Sequence, residues 1–486
     1  MRMNKPAKPL ENSEDTPLFA DHKKVYPKSI SGTFRRLKWL VLITLLFIYF
    51  FTPFLRWDRG PEMASQAVLF DFSGGRFYFF DAEIWPQQIY YIMILLIFSA
   101  LALFLSTALF GRIWCGYACP QTVWSDLFML VERWIEGERG ERIRRDIGPT
   151  TRAKVLLKLA KHAVWLVISL LTGGWFIAYF YDVPTLAHDI MAAQLSSSTL
   201  VMIGILTLIT YFLAGYVREH VCTFMCPWPR FQAAMQDEES LVITYRRWRG
   251  ENRSPLHKSV AWPERRAAGF GDCIDCGACQ QVCPTGIDIR NGSQLQCIGC
   301  ALCIDACNEI MTKIGRERGL IAFDTDNNQI ACSTGLPPRF RLLRGRTATY
   351  ALLMLALIVA STIAYERRPQ VQVNVLRDRA PLFVRLSSGE ILNGYTLKIL
   401  NMTRNAREYQ LTLSGIAGTT MTMAGGAATP STLLRLNADA DTVATFRVMV
   451  RAPRASLTGF STPLQFTVTP QVEGDGDRYE AVFLGP

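Results

Sequence analysis

Eight cysteines between residues 273 and 307 carry the strongest chemical signal in the chain. They form two runs, Cys273-x2-Cys276-x2-Cys279-x3-Cys283-Pro284 and Cys297-x2-Cys300-x2-Cys303-x3-Cys307. In this spacing three close thiolates wrap one face of an iron–sulfur cubane while the fourth reaches the neighbouring cluster. The runs therefore predict two 4Fe–4S clusters. One falls on Cys273, Cys276, Cys279 and Cys307, the other on Cys297, Cys300, Cys303 and Cys283. Gly277, Gly286 and Gly299 allow tight turns around them. Structural zinc ordinarily pairs two Cys-x2-Cys units at longer separation, which two complete four-cysteine runs do not match. Asn308 stands where proline often follows the last cysteine, a departure that leaves ligation untouched.

Four more cysteines lie in two copies of a shorter motif, Cys115-x3-Cys119-Pro120 and Cys222-x3-Cys226-Pro227. The stretches 111–120 and 218–227 each follow an apolar helix, so the motif reads as an internal repeat of a two-helix unit. Proline disfavours helix at Cys119 and Cys226. At the first helical position it makes each second cysteine the cap of a new helix, whose positive end lowers a thiol pKa. Paired thiolates with little carboxylate nearby suit Cu(I) best among common metals, with His220 as a candidate nitrogen ligand. The bland alternative is a set of buried, inert cysteines. Repetition at equivalent places argues against it, whereas for His220 alone, His162, His188 and Cys332 the bland reading stands.

Stepping outward, the apolar pattern supplies the elements that hold these motifs. Half of the 486 residues are apolar and 19% are charged. Residues 87–111, 163–181, 195–217 and 347–365 carry no charge, and a fifth apolar run, 39–55, lies between Lys38 and Arg56. Each is about 17–25 residues long, enough to cross a hydrocarbon core of roughly 30 Å as a helix. The first is not a cleavable signal, because aromatic residues stand where small ones would mark cleavage. Residues 1–38 hold nine basic and four acidic side chains, 56–86 three and five, 112–162 ten and six, and 182–194 only two aspartates. Lysine and arginine mark cytoplasmic loops, so the alternation puts the N-terminus, both thiol motifs and the cluster runs inside and the C-terminus outside. The net charge of +11 is thus a topology signal. Basic residues flank the spans instead of forming one stripe, and this excludes nucleic acid as the partner.

All thirteen cysteines precede residue 333, the reverse of a disulfide-built secreted module, so they are metal or redox thiols in a reducing compartment. Residues 1–25 are polar and proline-punctuated and read as disordered. The loop 70–81 is rich in aromatics suited to the membrane interface, and 228–272 reads as a polar connector. From Val371 onward, 371–375, 395–400, 409–413, 445–450 and 464–468 alternate apolar and polar residues, the mark of an antiparallel β-sandwich. The predicted fold class is a multi-domain membrane protein: an α-helical transmembrane bundle of five helices, a two-cluster bacterial-type ferredoxin domain and a C-terminal sandwich. Its parts are a cytoplasmic tail (1–38), a four-helix membrane domain with the two short motifs (39–230), the cytoplasmic ferredoxin-like domain (231–346), a fifth helix (347–365) and a periplasmic sandwich (366–486).

Five segments together resemble a known family: 25–28, 112–124, 218–227, 272–290 and 297–307. They are similar to the cytochrome c oxidase accessory proteins called CcoG, FixG or RdxA, and the likeness covers nearly the whole chain. The resemblance implies an immunoglobulin-like C-terminal domain in a multi-pass protein of the bacterial inner membrane. It also implies a cupric reductase, an oxidoreductase that supplies Cu(I) for assembly of cbb-type cytochrome c oxidase. Its cofactors would be two 4Fe–4S clusters and copper, with Cys115, Cys119, Cys222 and Cys226 handling copper. Partners would be the membrane, a copper chaperone or oxidase assembly factors, and an electron donor that the residues do not name. Two alternatives remain: a quinol dehydrogenase-type relay resembling the membrane ferredoxin subunit of periplasmic nitrate reduction, and a non-catalytic redox-sensing scaffold. The fifth helix and the sandwich favour the accessory family. The sandwich has neither cysteine nor histidine, leaving only Met421 and Met423 as weak thioether donors. Alkaline phosphatase fused after Pro486 is expected to be active in the periplasm; inactivity in a stable fusion would refute the five-helix topology.

Overall fold

A computed structural model describes residues 24–59, 63–72, 74–256, 261–425, 429–471 and 476–486. The disorder expected of residues 1–25 concerns mainly residues outside these. The chain divides into two compact units, Met1–Val359 and Ala360–Pro486.

The first unit carries the spans. Five helices are long and apolar enough to cross a membrane: Thr33–Phe54, Pro86–Phe110, Arg152–Tyr179, Ser197–Val217 and Gly345–Glu366, the last continuing past the unit boundary. Two begin earlier than their apolar runs. The first starts ahead of residue 39 because Arg35 and Lys38 lie inside the helix and face the buried carboxylate of Asp126, Arg35 at 2.9 Å. The third starts at Arg152, with Thr151 accepting a hydrogen bond from the Lys154 amide at 3.2 Å. Its buried Lys161 finds Glu136 at 3.2 Å. A charge ends a span in sequence, yet a paired charge need not end the helix.

Two stretches differ from expectation. The aromatic loop at 70–81 belongs to a three-stranded antiparallel sheet, Val68–Asp71, Arg76–Phe79 and Ala82–Ile84, with Phe70 opposite Phe77. Packing of alternate aromatic residues makes it sheet. Nor is 228–272 a mere connector. It holds the helix Trp228–Met235 and the strand Val242–Tyr245, which pairs antiparallel with Ile321–Asp324 beyond the cluster motifs. That pairing needs a partner some eighty residues away, which local pattern does not reveal.

The second unit is a two-sheet antiparallel sandwich. One sheet orders Thr420–Met423, Thr442–Ala452, Ile391–Asn401 and Val371–Arg377; the other orders Leu433–Ala438, Arg407–Ser414, Ser461–Pro470 and Asp477–Leu484. Alternate residues enter the core, including Tyr395, Leu397, Ile399, Val448 and Val450 from one sheet and Tyr409, Leu411, Phe466 and Phe483 from the other. Strands 420–423, 433–438 and 477–484 escaped the sequence reading because threonine, arginine and glutamate interrupt their apolar positions. With its own core, this unit should be dispensable for cluster loading. Removal of residues 371–486 is expected to leave the iron content of the purified protein unchanged, measured against protein concentration.

Candidate iron–sulfur and thiol centre

The two cluster runs follow one backbone course. In the first, Asp275 and Gly277 adopt left-handed φ of 52° and 64°; in the second, Gly299 and Ala301 do so at 70° and 61°. Left-handed residues thus bracket Cys276 and Cys300, a turn geometry that directs successive N–H groups inward. Each run then enters a helix, Ala278–Gln281 or Leu302–Lys313. Gly286 is left-handed as well, at φ 73°.

The thiols gather in the crossed sets that the spacing suggests. Cys273, Cys276, Cys279 and Cys307 line a cavity of about 350 Å³, walled by Tyr245, Met311 and Leu320. Burial, then the nearby Cys279, Cys273 and Cys276, push the Cys307 thiol up to about 12. Burial raises Cys297 to about 12, with Cys300 and Cys283 adding to it, and holds Cys303 well above its ordinary range beside Cys300, Cys297 and Cys283. Cys279 also bears on Cys303, so the two groups are neighbours. Cys276 is exposed, whereas Cys273, Cys279, Cys300 and Cys307 are buried. Among the described residues no three His, Cys, Asp or Glu side chains converge to hold a single ion. A cubane does not ask for that, since each thiolate binds its own iron. The lined cavity, the crossed grouping and the absence of competing carboxylates in its wall fit a 4Fe–4S cluster.

The short motifs sit directly on this lobe. Cys119 caps the helix Pro120–Glu136 in extended conformation (φ −62°, ψ 127°), as its proline requires. Its counterpart differs: after the π-helical turn Val221–Met225, Cys226 is extended as well (φ −79°, ψ 122°), but Pro227 is the cap of Trp228–Met235. The expectation of two equivalent cysteine caps is therefore corrected at Cys226. Nor are the first cysteines of the motifs acidic thiols. Burial, then Cys119 and Cys222, raises Cys115 to about 12; burial, then Cys119 and Cys226, raises Cys222 to about 12. These mutual influences bring all four thiols into one neighbourhood. The Cys115 thiol donates to Gln232 Oε1 at 3.2 Å. Gln121 Nε2 ties the loops together by donating to the carbonyls of Leu213 at 2.7 Å and Arg218 at 3.2 Å. His220 stacks on Phe224 at 5.6 Å, and His162 lies 3.0 Å from the Tyr211 hydroxyl.

What joins the two sites is backbone packed on backbone. A Cβ added to Gly116 would stand 2.9 Å from Cys300 Cα, and one added to Gly299 would stand 2.9 Å from the Arg112 carbonyl. Tyr117 donates to the Cys300 carbonyl at 3.2 Å. Arg112 donates to the carbonyls of Leu295, of Cys297 at 3.2 Å and of Pro229 at 3.0 Å. Cys115 and Cys222 accordingly pack against the same small apolar cluster as Cys300. Asp305 completes the junction by accepting from the Phe34 and Arg35 amides at 3.3 and 2.8 Å, which satisfies the start of the first span. Arg112, Gly116, Gln232 and Asp305 were not singled out from sequence. The first two could have been, since both lie within the repeat at positions where its second copy has Glu219 and Thr223.

Comparison with known proteins agrees with this geometry. Residues 217–326 match the family described as "4Fe-4S dicluster domain", and 92–137 match "4Fe-4S binding domain". Residues 362–486 match "IG-like fold at C-terminal of FixG". "Nitrogen fixation protein FixG" of Rhizobium meliloti is 43% identical, over 97% of this chain and 94% of that one. The chain belongs to the FixG/RdxA family. Proteins RdxA and RdxB of Cereibacter sphaeroides are 44% and 42% identical, over 96% and 98% of this chain and 97% and 98% of theirs. This family member is thus a membrane iron–sulfur protein with electron transfer as its work. Gly116→Val should force the two loops apart, at a cost of about 1–3 kcal/mol from overpacking. Thermal unfolding should register the loss, and Thr223→Val at the equivalent place should change the midpoint little.

Proposed function

We propose that the protein reduces Cu(II) to Cu(I), with copper as substrate at Cys115, Cys119, Cys222 and Cys226, for the assembly of a cbb-type oxidase. The observation that carries this reading is the packing of Cys115 and Cys222 against the loop of Cys300. Two 4Fe–4S clusters, held by the crossed cysteine sets, supply single electrons when bound. The chain itself performs the rest. Cys115 and Cys222 offer soft sulfur beside a small apolar cluster, and thiolate favours Cu(I) over Cu(II), which draws one electron onto the ion. Loading displaces the thiol protons that burial retains, and Gln232 Oε1 is placed to accept the hydrogen bond from Cys115.

In this reading the thiol motifs and the ferredoxin lobe face the cytoplasm, where a soluble reductant has access, and a copper chaperone or assembly factor takes the Cu(I). Purified protein with an excess of reductant should reduce Cu(II) in steady state, followed with a Cu(I)-specific chelator. Cys115→Ser with Cys119→Ser, and separately Cys222→Ser with Cys226→Ser, should each lower that rate roughly tenfold or more while the cluster spectrum persists. Wild-type rates in both double variants would make the four thiols structural.

A further inference from the structure

Two cations border the Cys283, Cys297, Cys300 and Cys303 group, and neither has a carboxylate to itself. Arg112 is 9% exposed, and its guanidinium donates to backbone carbonyls, among them that of Cys297. Lys38 is 2% exposed, and its ammonium makes no hydrogen bond among the described residues. Its nearest carboxylate, Asp126, lies at 3.8 Å and already receives two hydrogen bonds from Arg35, at 3.0 and 2.9 Å. The Lys38 side chain lines a cavity of about 380 Å³ with Cys222, Pro284 and Ile298, between the thiol loop and the cluster-binding backbone. Arg35 and Lys38 therefore share one carboxylate, which leaves positive charge in excess beside that cavity.

The other cysteine set is different. Arg290 lines the cavity of Cys273, Cys276, Cys279 and Cys307, but its guanidinium is spent on Asp288, at 2.9 and 2.7 Å, and on Asp275. Two carboxylates neutralise that one cation. Reduction adds a negative charge to a cluster, and net charge and hydrogen bonding around it set its potential. Burial penalises the added charge at the Cys300 site. The same low dielectric also magnifies the pull of positive charge in excess, and here it comes from Arg112 and from Lys38, which shares Asp126 with Arg35.

We infer that Lys38 and Arg112 make the Cys283/Cys297/Cys300/Cys303 site the more easily reduced of the two, so that electrons run from the site with the exposed Cys276 toward the four thiols. An external one-electron reductant loses the electron near Cys276, and the inner site gains it. The inference rests on the two-cluster reading and not on copper.

The test is an anaerobic redox titration of the full-length protein, followed by electron paramagnetic resonance with no copper present. Lys38→Gln and Arg112→Gln should each lower the higher of the two midpoint potentials and leave the lower in place. The expected size is a tenfold change in the oxidised-to-reduced ratio at fixed solution potential, about 59 mV for a one-electron couple. Lys38→Arg should restore it, and iron content should stay constant. Asp275→Asn keeps a residue tolerant of left-handed φ and removes one of the two carboxylates that neutralise Arg290, so it should raise the lower potential and narrow the gap. Movement of the lower potential in Lys38→Gln, or of neither with iron intact, would overturn the inference. Should Lys38→Gln lose iron, Asp275→Asn decides, and an unchanged gap there overturns it equally. Because no copper takes part, failure here leaves the cupric reductase reading standing, and loss of copper reduction leaves the order of potentials standing.

Discussion

The first unit depends on two glycines that let one backbone lie against another. Gly116 meets the Cys300 backbone and Gly299 meets that of Arg112, each with room for a hydrogen and none for a methyl group. The two loops can therefore touch backbone to backbone. Thiols from the membrane part and thiols from the ferredoxin lobe enter one apolar cluster there. The carbonyls that Arg112 gathers keep the approach in register.

Around that junction the fold is held by buried charge. Asp126 serves Arg35, while Glu132 serves both Arg142 and Arg218, with Lys161 at 3.7 Å. Such groups are neutral or unfavourable in sum, but removing one partner from a buried pair costs about 3–5 kcal/mol. What they contribute is placement. They bind the first span to the helix behind Cys119, and that helix to the third span and the second thiol loop. Asp305 does the same between the lobe and the start of the first span.

Much of this was legible in the residues because metal and membrane each impose strict rules. Cysteine spacing dictates which thiolates can share a cubane, and the length of an apolar run dictates a span; both survive without knowledge of tertiary contacts. The departures have a common cause. Arg35, Lys38 and Lys161 seemed to lie outside or to end spans because their partners, Asp126 and Glu136, are far away in the chain. The strand 242–245 was hidden for the same reason, its mate being 321–324. Cys226 keeps the extended backbone of Cys119, yet the helix after it takes Pro227 as its cap, a one-residue shift that no spacing of residue types announces. Gly116 and Arg112 were visible as residues, but their use depends on what docks there.

The two thiol loops are copies that have ceased to be interchangeable. At equivalent places Gly111 and Arg218 share an unusual backbone, φ 62° and 39°, which glycine adopts freely and arginine only under strain. The second copy holds that strain because the arginine head neutralises Glu132. It also replaces the docking glycine by Thr223, whose hydroxyl donates to Glu219 of its own loop at 2.8 Å. The two cysteine arms form a pseudo-repeat in which one arm is a landing place and the other an anchor. A chain rebuilt from two copies of the first arm would carry a second bare glycine and would leave Glu132 without Arg218, one of its two arginines. The arms are therefore not exchangeable, and the ferredoxin lobe has one address on the membrane domain.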